Sequence, residues 1–265
     1  MKGLTDNMYT KKDLINGIAS IGIKVTDTIL IHSSMKAIGQ VEGGADTVID
    51  AFIEYLKDGL LIFPTHTWEQ MNDKYNIYDP LTEPSCVGLL TNIFRQRPGV
   101  VRSLHPTHSV AALGKDAIDY IAGEEKIGTP CAREGCWGKL YDRGAKILFL
   151  GASLKKNTFL HGVEEWSNIP NRLREEPILY KIKVSEGRII ERPLRGHHSS
   201  VGDVSQFYDK MLPIFLDKGI ANKGKIGDSD SVLCDAIGMA DITTGYLKKD
   251  QKLFDNGEPI PGDWY

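Results

Sequence analysis

Five of the seven histidines in the chain stand in polar clusters beside predicted strand ends or helix starts. These five are His32, His66, His105, His108 and His161. Within a predicted helix at 158–166, His161 and Glu164 are three residues apart and therefore share one face. A carboxylate so placed can hold one ring nitrogen of the histidine and raise the basicity of the other. The spacing predicts a general-base dyad, and a surface His–Glu ion pair is the alternative.

A metal-dependent hydrolase is a second interpretation, in which His105, His108 and His161 act together with Glu164. The segment His105-Pro106-Thr107-His108 argues against it. It lacks the glutamate of the HExxH pattern, and its proline disfavours a helix that would present both rings. None of the four cysteines stands in a CxxC spacing, so free thiols are predicted. We therefore expect no bound metal.

Local patterns place these side chains on mixed strands and helices. A capping box of Thr10 and Asp13 predicts a helix over 11–21, and the β-branched run Thr28–His32 predicts a strand. Further helices are predicted at 45–57, 86–96, 115–122, 158–166, 204–218 and 232–248. Further strands are predicted at 60–64, 109–113 and 146–150, and a hairpin at 177–184 and 188–194 turns through Ser185-Glu186-Gly187. The expected fold is α/β, a mixed β-sheet flanked by helices with this late antiparallel hairpin, in a single domain over residues 1–265.

The composition restricts the class of partner. The chain has 265 residues, a formal net charge of -3 and 41% hydrophobic residues, as is ordinary for a globular protein. No apolar stretch approaches the roughly 20 residues of a membrane-spanning helix, and Lys and Arg form no cluster longer than a dipeptide. Membrane and nucleic-acid partners are therefore not expected. The amino terminus lacks the apolar core of a secretory signal, which predicts a cytoplasmic protein with a small-molecule partner.

Polar residues follow the first two predicted strands. Ser33-Ser34 comes after the first strand, and Thr65-His66-Thr67-Trp68 comes after the second. In open α/β sheets the carboxyl ends of the strands hold ligands. The segment 73–84 is polar and aromatic without any period, so we expect a surface loop over this edge of the sheet.

Several ordered motifs resemble one known family. The run Ile31-His32-Ser33-Ser34-Met35, the stretch 39–46 and the run Phe63-Pro64-Thr65-His66-Thr67 resemble the antibiotic N-acetyltransferase family, typified by the aminoglycoside 3-N-acetyltransferases. The segment 102–112 is similar to the family pattern RSxHPxxSxxA. Thr129-Pro130, Lys139-Leu140 and the stretch 144–164 follow in the expected order. The resemblance is strong over 31–166 and weak from 177 onward.

This resemblance implies transfer of an acetyl group from acetyl-CoA to an amine, on a fold other than the common GNAT fold. The RxxGxG/A loop of the GNAT acetyltransferases is absent from the sequence. The residues that the resemblance places at CoA are His32, Ser33, Ser34, Met35, Lys36, Arg102, Ser103, His105 and Ser109. Lys36 and Arg102 carry the positive charge that CoA phosphates require, and a structural arginine is the alternative for Arg102.

The implied chemistry requires few groups, because a thioester is already activated. His161, oriented by Glu164, accepts the proton of the attacking amine, while Thr129, Thr158 or backbone N–H groups stabilise the oxyanion. Direct transfer needs no covalent intermediate on the enzyme. Cys131 as a nucleophile is the alternative, but a buried cysteine is usually inert.

Aminoglycosides are polycations, so the resemblance implies an acceptor site rich in carboxylates. The residues assigned to the acceptor are Thr65, Trp68, Glu69, Asp79 and Glu83, and the acids could equally form a solvated loop. The stretch 129–140 departs from the family pattern TPxGxxSPxxKL, which leaves another amino sugar or small amine open as the acceptor. A sensor that keeps the CoA site without catalysis is disfavoured by the intact His161 and Glu164. The function expected from the resemblance is aminoglycoside resistance by N-acetylation, and a homodimer is left open.

Overall fold

The computed structural model describes residues 8–184 and 187–264. Its strands are β1 (Thr28–Ser33), β2 (Leu60–Pro64), β3 (Ile77–Tyr78), β4 (Val101–Arg102), β5 (Val110–Gly114), β6 (Lys146–Leu150), β7 (Ile178–Lys183), β8 (Ile189–Leu194), β9 (Ala221–Ile226) and β10 (Ser229–Asp235). Its α-helices are α1 (Lys11–Ser20), α2 (Gly44–Tyr55), α3 (Leu89–Phe94), α4 (Ala117–Ile121), α5 (Cys136–Asp142), α6 (Thr158–Trp166), α7 (Leu212–Asp217) and α8 (Ala236–Lys249). Within these ranges, no helix is long and apolar enough to cross a membrane.

A mixed sheet forms the centre of the described structure. Its seven strands lie in the order β4-β5-β2-β1-β6-β10-β9. The middle strand β1 pairs in parallel with β2 and with β6, whereas the outer pairings are antiparallel. The carboxyl ends of β2, β1 and β6 therefore meet at one edge of the sheet, where ligands bind in such folds. The predicted mixed α/β fold is confirmed.

Helices cover both faces of this sheet because its inner strands are apolar on both sides. Ile29 and Ile31 of β1 pack in the core beneath α1, α2 and α3, whereas Leu30 packs on the opposite face in the core beneath α4 to α8. Strand β6 alternates in the same way. Successive side chains of a strand point to opposite faces, so a continuous apolar run fills two cores at once.

The helix predictions with a local signal are confirmed. In α1, the side chain of Thr10 accepts a hydrogen bond from the N–H of Asp13, and the Asp13 carboxylate accepts from the N–H of Thr10. Helix α6 has the predicted bounds, Thr158–Trp166. Its buried residues include Phe159, Leu160 and Val163, which anchor the helix in the core.

One prediction in the last third of the chain is wrong over its first four residues. The segment predicted as a helix from 232 to 248 begins as strand β10 and becomes helix α8 only at Ala236. Asp235 marks the boundary, because its side chain accepts a hydrogen bond from the N–H of Gly238 as an N-cap. The predicted helix 204–218 is confirmed, as a 3₁₀ helix over Val204–Met211 that continues directly into α7.

A second sheet covers the ligand-binding edge and contains the predicted hairpin. Strands β7 and β8 pair antiparallel as expected, although Ser185 and Glu186 of the predicted turn lie outside the described residues. The loop predicted at 73–84 contributes the short strand β3, which adds to β7 in parallel. Tyr78 of β3 is fully buried, so this loop is anchored to the hairpin.

Candidate active site

A cavity of about 900 Å³ opens at the carboxyl ends of the parallel strands. His32 and Ser33 line it from the end of β1, and His66 lines it from the loop that follows β2. Thr158 and His161 line it from the first turns of α6. The histidine expected to act as the base therefore lies in the same cavity as part of the expected CoA loop.

The contact predicted between His161 and Glu164 is not formed directly. His161 Nδ1 lies 3.9 Å from Glu164 Oε2, which is too long for a hydrogen bond. The hydroxyl of Tyr208 lies between them, 2.8 Å from His161 Nδ1, and donates to Glu164 Oε2 at 2.5 Å. Because that hydroxyl has only one proton, Nδ1 must itself donate to the Tyr208 oxygen. The opposite ring nitrogen, Nε2, is then unprotonated and can accept a proton.

Glu164 is a fully buried carboxylate with a cation of its own. Arg172 Nε donates to Glu164 Oε1 at 2.6 Å, and Arg172 Nη2 donates to Asp255 Oδ1 at 2.7 Å. Burial raises the pKa of Glu164, while Arg172 and Tyr208 act in the opposite direction. The charge of Glu164 is therefore balanced by Arg172, and its effect on His161 passes through the Tyr208 hydroxyl.

His161 is neutral over the physiological pH range. Burial lowers its pKa from 6.5 to about 4, whereas the nearby carboxylate of Asp203 acts to raise it. Asp203 also lines the cavity, and it accepts hydrogen bonds from the N–H and the hydroxyl of Ser205. In the described part of the chain, His161 Nε2 has no hydrogen-bond partner, and it is not among the enclosed polar atoms. The side chain is thus a neutral imidazole with an accessible acceptor nitrogen.

The two threonines expected at the oxyanion occupy different surroundings. Thr129 donates its hydroxyl proton to Glu165 and does not line the cavity. Thr158 lines the cavity, and its hydroxyl lies 3.0 Å from His66 Nε2. Only Thr158 is therefore placed to reach a ligand in the cavity.

Arg102 fits the structural alternative better than the expected role at CoA phosphates. Its guanidinium donates to the Thr65 hydroxyl at 3.1 Å and to the Thr65 carbonyl at 2.8 Å. It also donates to the carbonyls of Pro80 and Glu83, at 3.2 Å and 2.5 Å. A guanidinium so occupied has little capacity left for a phosphate. Arg102 instead fastens the loop before α3 to the end of β2.

The other residues assigned to CoA divide between the cavity and its support. His32 and Ser33 line the cavity, whereas Ser34, Met35 and Lys36 follow them in the chain and are outside its lining. Three other residues are also absent from the lining and form hydrogen bonds within the protein: Ser103, His105 and Ser109. His105 Nδ1 accepts the N–H groups of Thr107 and His108, and its Nε2 contacts the Thr129 carbonyl, so it fixes a turn.

The acceptor residues divide in the same way. Trp68, which is 52% exposed, and Glu69 line the cavity. The remaining three, Thr65, Asp79 and Glu83, are absent from its lining. The structure places Asp79 against Lys183 at 3.3 Å, and Glu83 accepts hydrogen bonds from Gln70 and Tyr75. The carboxylates that line the cavity are instead Glu69, Asp73 and Asp203.

Histidine rings pack closely beside the cavity. The ring centroids of His161 and His197 are 4.6 Å apart, those of His197 and His108 are 4.9 Å apart, and those of His108 and His66 are 4.8 Å apart. Burial lowers the pKa of His66, His108 and His197 well below 6.5.

Over residues 8–184 and 187–264, no group of three or more His, Cys, Asp or Glu side chains is arranged to hold a metal ion. Burial also raises the pKa of the Cys131 thiol well above 9.0, so it is not a thiolate.

The residues that sequence reasoning missed come from distant segments. Tyr208 is 44 residues from Glu164 in the chain, and neither Tyr208 nor Asp203 belongs to a motif that marks it in advance. His197 follows the predicted hairpin, and its position in the sequence suggests no more than a place beside the cleft. Asp203 before Ser205 has the local pattern of a helix N-cap, which predicts a helix start and not a site.

Comparisons with known proteins agree with this architecture. A family model described as aminoglycoside 3-N-acetyltransferase matches residues 30–248. The aminoglycoside N(3)-acetyltransferase VII of Streptomyces paromomycinus is 26% identical over 277 residues, covering 92% of this chain and 93% of the relative. The aminoglycoside N(3)-acetyltransferase IX of Micromonospora chalcea is 29% identical over 256 residues, covering 86% of this chain and 89% of the relative.

Solved structures share the fold. YokD from Bacillus subtilis superposes with a TM-score of 0.81 at 22% identity, covering 93% of this chain and 96% of YokD. The binary complex of AAC-IIIb with CoASH has a TM-score of 0.81 at 24% identity, covering 96% and 100% of the two chains. A mutant of AAC(3)-IVa in complex with a gentamicin has a TM-score of 0.82 at 22% identity, covering 95% and 93%.

Proposed function

The chain belongs to the aminoglycoside 3-N-acetyltransferase family, and from that membership we propose that it transfers the acetyl group of acetyl-CoA to an aminoglycoside amine. The proposed acceptor is the 3-amino group of 2-deoxystreptamine, and acetylation there would confer resistance. Relatives named aminoglycoside N(3)-acetyltransferases and a structural neighbour bound to CoASH support this proposal. The observation that carries it is the accessible, unprotonated Nε2 of His161 in a cavity of about 900 Å³.

The cavity suits a ligand with polar groups along its length. Its volume is within the range of roughly 300–1,000 Å³ that is usual for small-molecule sites. Two of its lining histidines have an enclosed ring nitrogen without a partner in the described structure, His32 Nε2 and His66 Nδ1. Because enclosed nitrogens are out of reach of a ligand, the side chains proposed to contact the amide or carbonyl groups of acetyl-CoA are other polar residues of the lining, such as Ser33 and Thr158.

His161 acts as the general base in the proposed mechanism. Its Nε2 accepts a proton from the acceptor amine as that nitrogen attacks the acetyl carbonyl. The ring becomes an imidazolium whose Nδ1–H still donates to Tyr208, and the nearby negative charge of Asp203 favours that cation. General-base catalysis of this kind typically contributes about 10²–10⁴ in rate. The proton can then pass to the departing thiolate, so the histidine returns to its starting state.

Thr158 is the proposed side chain at the oxyanion. Thr158 lines the cavity from the first turn of α6, next to the base, and when its hydroxyl accepts a hydrogen bond from His66 Nε2 its own proton is free to be donated to an oxyanion. The positive end of the α6 dipole supports negative charge at the same place. Thr129 is not carried forward, because its hydroxyl is already bound to Glu165.

We expect Tyr208→Phe to lower kcat about tenfold and to leave both KM values within about threefold. The substitution removes the hydrogen bond that fixes the His161 tautomer, yet it keeps the buried aromatic ring. Steady-state kinetics with both substrates, together with the acid limb of the pH–rate profile, measure the effect.

The matched control for Tyr208 is Tyr141→Phe. This substitution removes a hydroxyl that donates a hydrogen bond to the exposed Asp241, and neither residue lines the cavity. Full activity of a folded Tyr208→Phe variant would show that the Tyr208 hydroxyl has no part in the mechanism.

The function is tested by following thiol release from acetyl-CoA with a panel of amines. We expect 2-deoxystreptamine antibiotics to be acetylated, with mass spectrometry and NMR locating the product amide on the 3-amino group. A folded protein that binds CoA and acetylates no aminoglycoside would overturn the proposed acceptor.

Another amino sugar is the second candidate acceptor, and one observation favours it. The cavity lining carries three carboxylates, Glu69, Asp73 and Asp203, and also three cationic side chains, Lys155, Lys156 and Arg174. As long as no anionic donor neutralises the two lysines, a wall with balanced charges attracts a polycation less than the carboxylate-rich wall that the resemblance implies. Nucleotide-linked amino sugars therefore belong in the same panel.

A further inference from the structure

The loop after β6 packs directly against the loop that the family resemblance assigns to CoA. The N–H of Ser34 donates to the carbonyl of Leu150 at 2.9 Å, which holds the two strand ends together. A Cβ atom added at Gly151 would overlap the Cβ of Ala37, so glycine is required for the approach. The residues that follow Gly151 therefore lie beside the same end of the cavity as His32 and Ser33.

Two adjacent lysines stand on this loop. Lys155 and Lys156 end the short 3₁₀ helix Leu154–Lys156, and both line the cavity. In the described part of the chain, neither ammonium group has a carboxylate within 4.0 Å. By contrast, Lys146 contacts Asp235 at 2.6 Å and Lys183 contacts Asp79 at 3.3 Å. Two neighbouring positive charges without a counter-charge at a cavity favour an anionic ligand.

The other candidate cations are less well placed for CoA. The guanidinium of Arg102 is occupied by hydroxyl and carbonyl oxygens, and Lys36 is outside the cavity lining. Arg174 lines the wall formed by the second sheet, where its charge and that of Asp73 both act on the pKa of Tyr180. That leaves Lys155 and Lys156 as the cations next to the loop after β1.

Helix α6 adds to the positive potential. It begins at Thr158, immediately after the lysines and Asn157, and its N-cap Asn157 makes no side-chain capping bond. The first N–H groups of a helix carry a partial positive charge that favours anions. This contribution supports the lysine pair but would not define a site without it.

We propose that Lys155 and Lys156 form the phosphate-binding site of the cavity and that the phosphates they hold are those of CoA. This assignment rests on the proposed acetyl-CoA-dependent function. It moves the phosphate contacts from the segments around Lys36 and Arg102 to the loop that joins β6 and α6.

The test compares acyl donors with and without phosphates. In the double variant Lys155→Ala, Lys156→Ala we expect the KM for acetyl-CoA to rise at least about tenfold with kcat little changed, since these contacts act equally on ground and transition states. The KM for S-acetylpantetheine, which has no phosphate groups, should stay within about twofold. The Kd for CoA, measured by calorimetry without an acceptor, should rise in parallel with the KM.

Two further variants act as controls. Lys115→Ala removes an exposed lysine that is absent from the cavity lining, and it should leave every constant within about twofold. The variant Lys155→Arg, Lys156→Arg keeps both charges and should bind CoA like the unmodified protein. Circular dichroism establishes that each variant is folded.

Each contrary outcome is distinct. If the unmodified protein does not bind CoA, the proposed function fails. If it binds CoA and the double alanine variant binds equally well, the lysine site is overturned. An equal rise in the KM values for acetyl-CoA and S-acetylpantetheine would also overturn it, because the lysines would then not recognise phosphate. A raised KM only for a phosphorylated acceptor, such as a nucleotide-linked amino sugar, would overturn the assignment to CoA.

Discussion

Replacing His161 with alanine is expected to lower kcat at least about 100-fold while leaving the Kd for CoA within about threefold. Tyr208 orients the His161 imidazole so that its unprotonated Nε2 is accessible in the cavity. Removal of the imidazole therefore leaves the acceptor amine without a base. Because the base faces the acceptor nitrogen, the donor contacts should persist. Turnover with acetyl-CoA and calorimetry with CoA measure the two effects separately.

The pH dependence distinguishes a lost base from a damaged site. An amine that has already lost its proton to solvent needs the base less, so the deficit of His161→Ala should shrink as the pH approaches the pKa of the acceptor amine. His198→Ala is the matched control, because His198 is a histidine outside the cavity lining. Loss of CoA binding by a folded His161→Ala protein would make His161 a cofactor residue instead.

Acidification from pH 7.5 to pH 5 is expected to lower the free energy of unfolding by several kcal/mol. Six histidines have a pKa below the ordinary value of 6.5 because they are buried: His32, His66, His105, His108, His161 and His197. In the unfolded chain these rings take up protons below about pH 6.5, whereas in the folded chain they resist protonation. Their contribution to stability is therefore present above pH 6.5 and is lost as the pH falls toward the folded pKa.

The size of the loss in stability follows from the pKa shifts of the buried groups. A histidine whose pKa falls from 6.5 to about 4, as for His105 and His161, loses about 2 kcal/mol of stabilisation by pH 5. Glu124 acts in the opposite sense, because burial raises its pKa to about 7 and its proton stabilises the folded state by about 2 kcal/mol at pH 5. Six histidines outweigh this carboxyl, even with upward shifts at Glu164 and Glu165 as well.

Urea denaturation at pH 7.5 and pH 5 measures the change in the free energy of unfolding. Calorimetry in buffers of different ionisation heat measures the number of protons that the protein takes up on unfolding. We expect unfolding at pH 5.5 to take up about four protons, roughly one for each histidine less those that the carboxyls release. Stability that does not change between these pH values would contradict the prediction.

The sequence predicts well those elements whose signals are local. The Thr10 and Asp13 capping box and the amphipathic pattern of 158–166 depend on residues within one or two turns, so these helix starts are correct. Strand β9 escapes prediction because its sequence, ANKGKI, is mostly polar, as suits an edge strand with half its surface in solvent. The run from Val232 wrongly predicts a helix because a short apolar run has no distinguishing period.

The candidate site is predictable as far as its residues are neighbours in the chain. His161, Thr158 and the end of β1 do meet in one cavity. The partner of His161 is not predictable from spacing, because a tyrosine from a distant 3₁₀ helix enters between two residues of one helical turn. Likewise, the type of residue at Arg102 suggests a phosphate contact, and only the tertiary structure shows that carbonyl oxygens already surround it.

The parallel pairing of β3 with β7 has a consequence for how acceptor preference can diverge. Ile77 and Tyr78 come from the loop after β2, whereas their partners Lys181 and Ile182 come from a segment about a hundred residues later. The outer wall of the cavity is therefore built from two segments that are far apart in the sequence and whose side chains must remain compatible. Exchange of either segment alone between relatives would pair two strands whose side chains are not matched to each other, so new substrate preferences are expected to arise through paired changes in both segments.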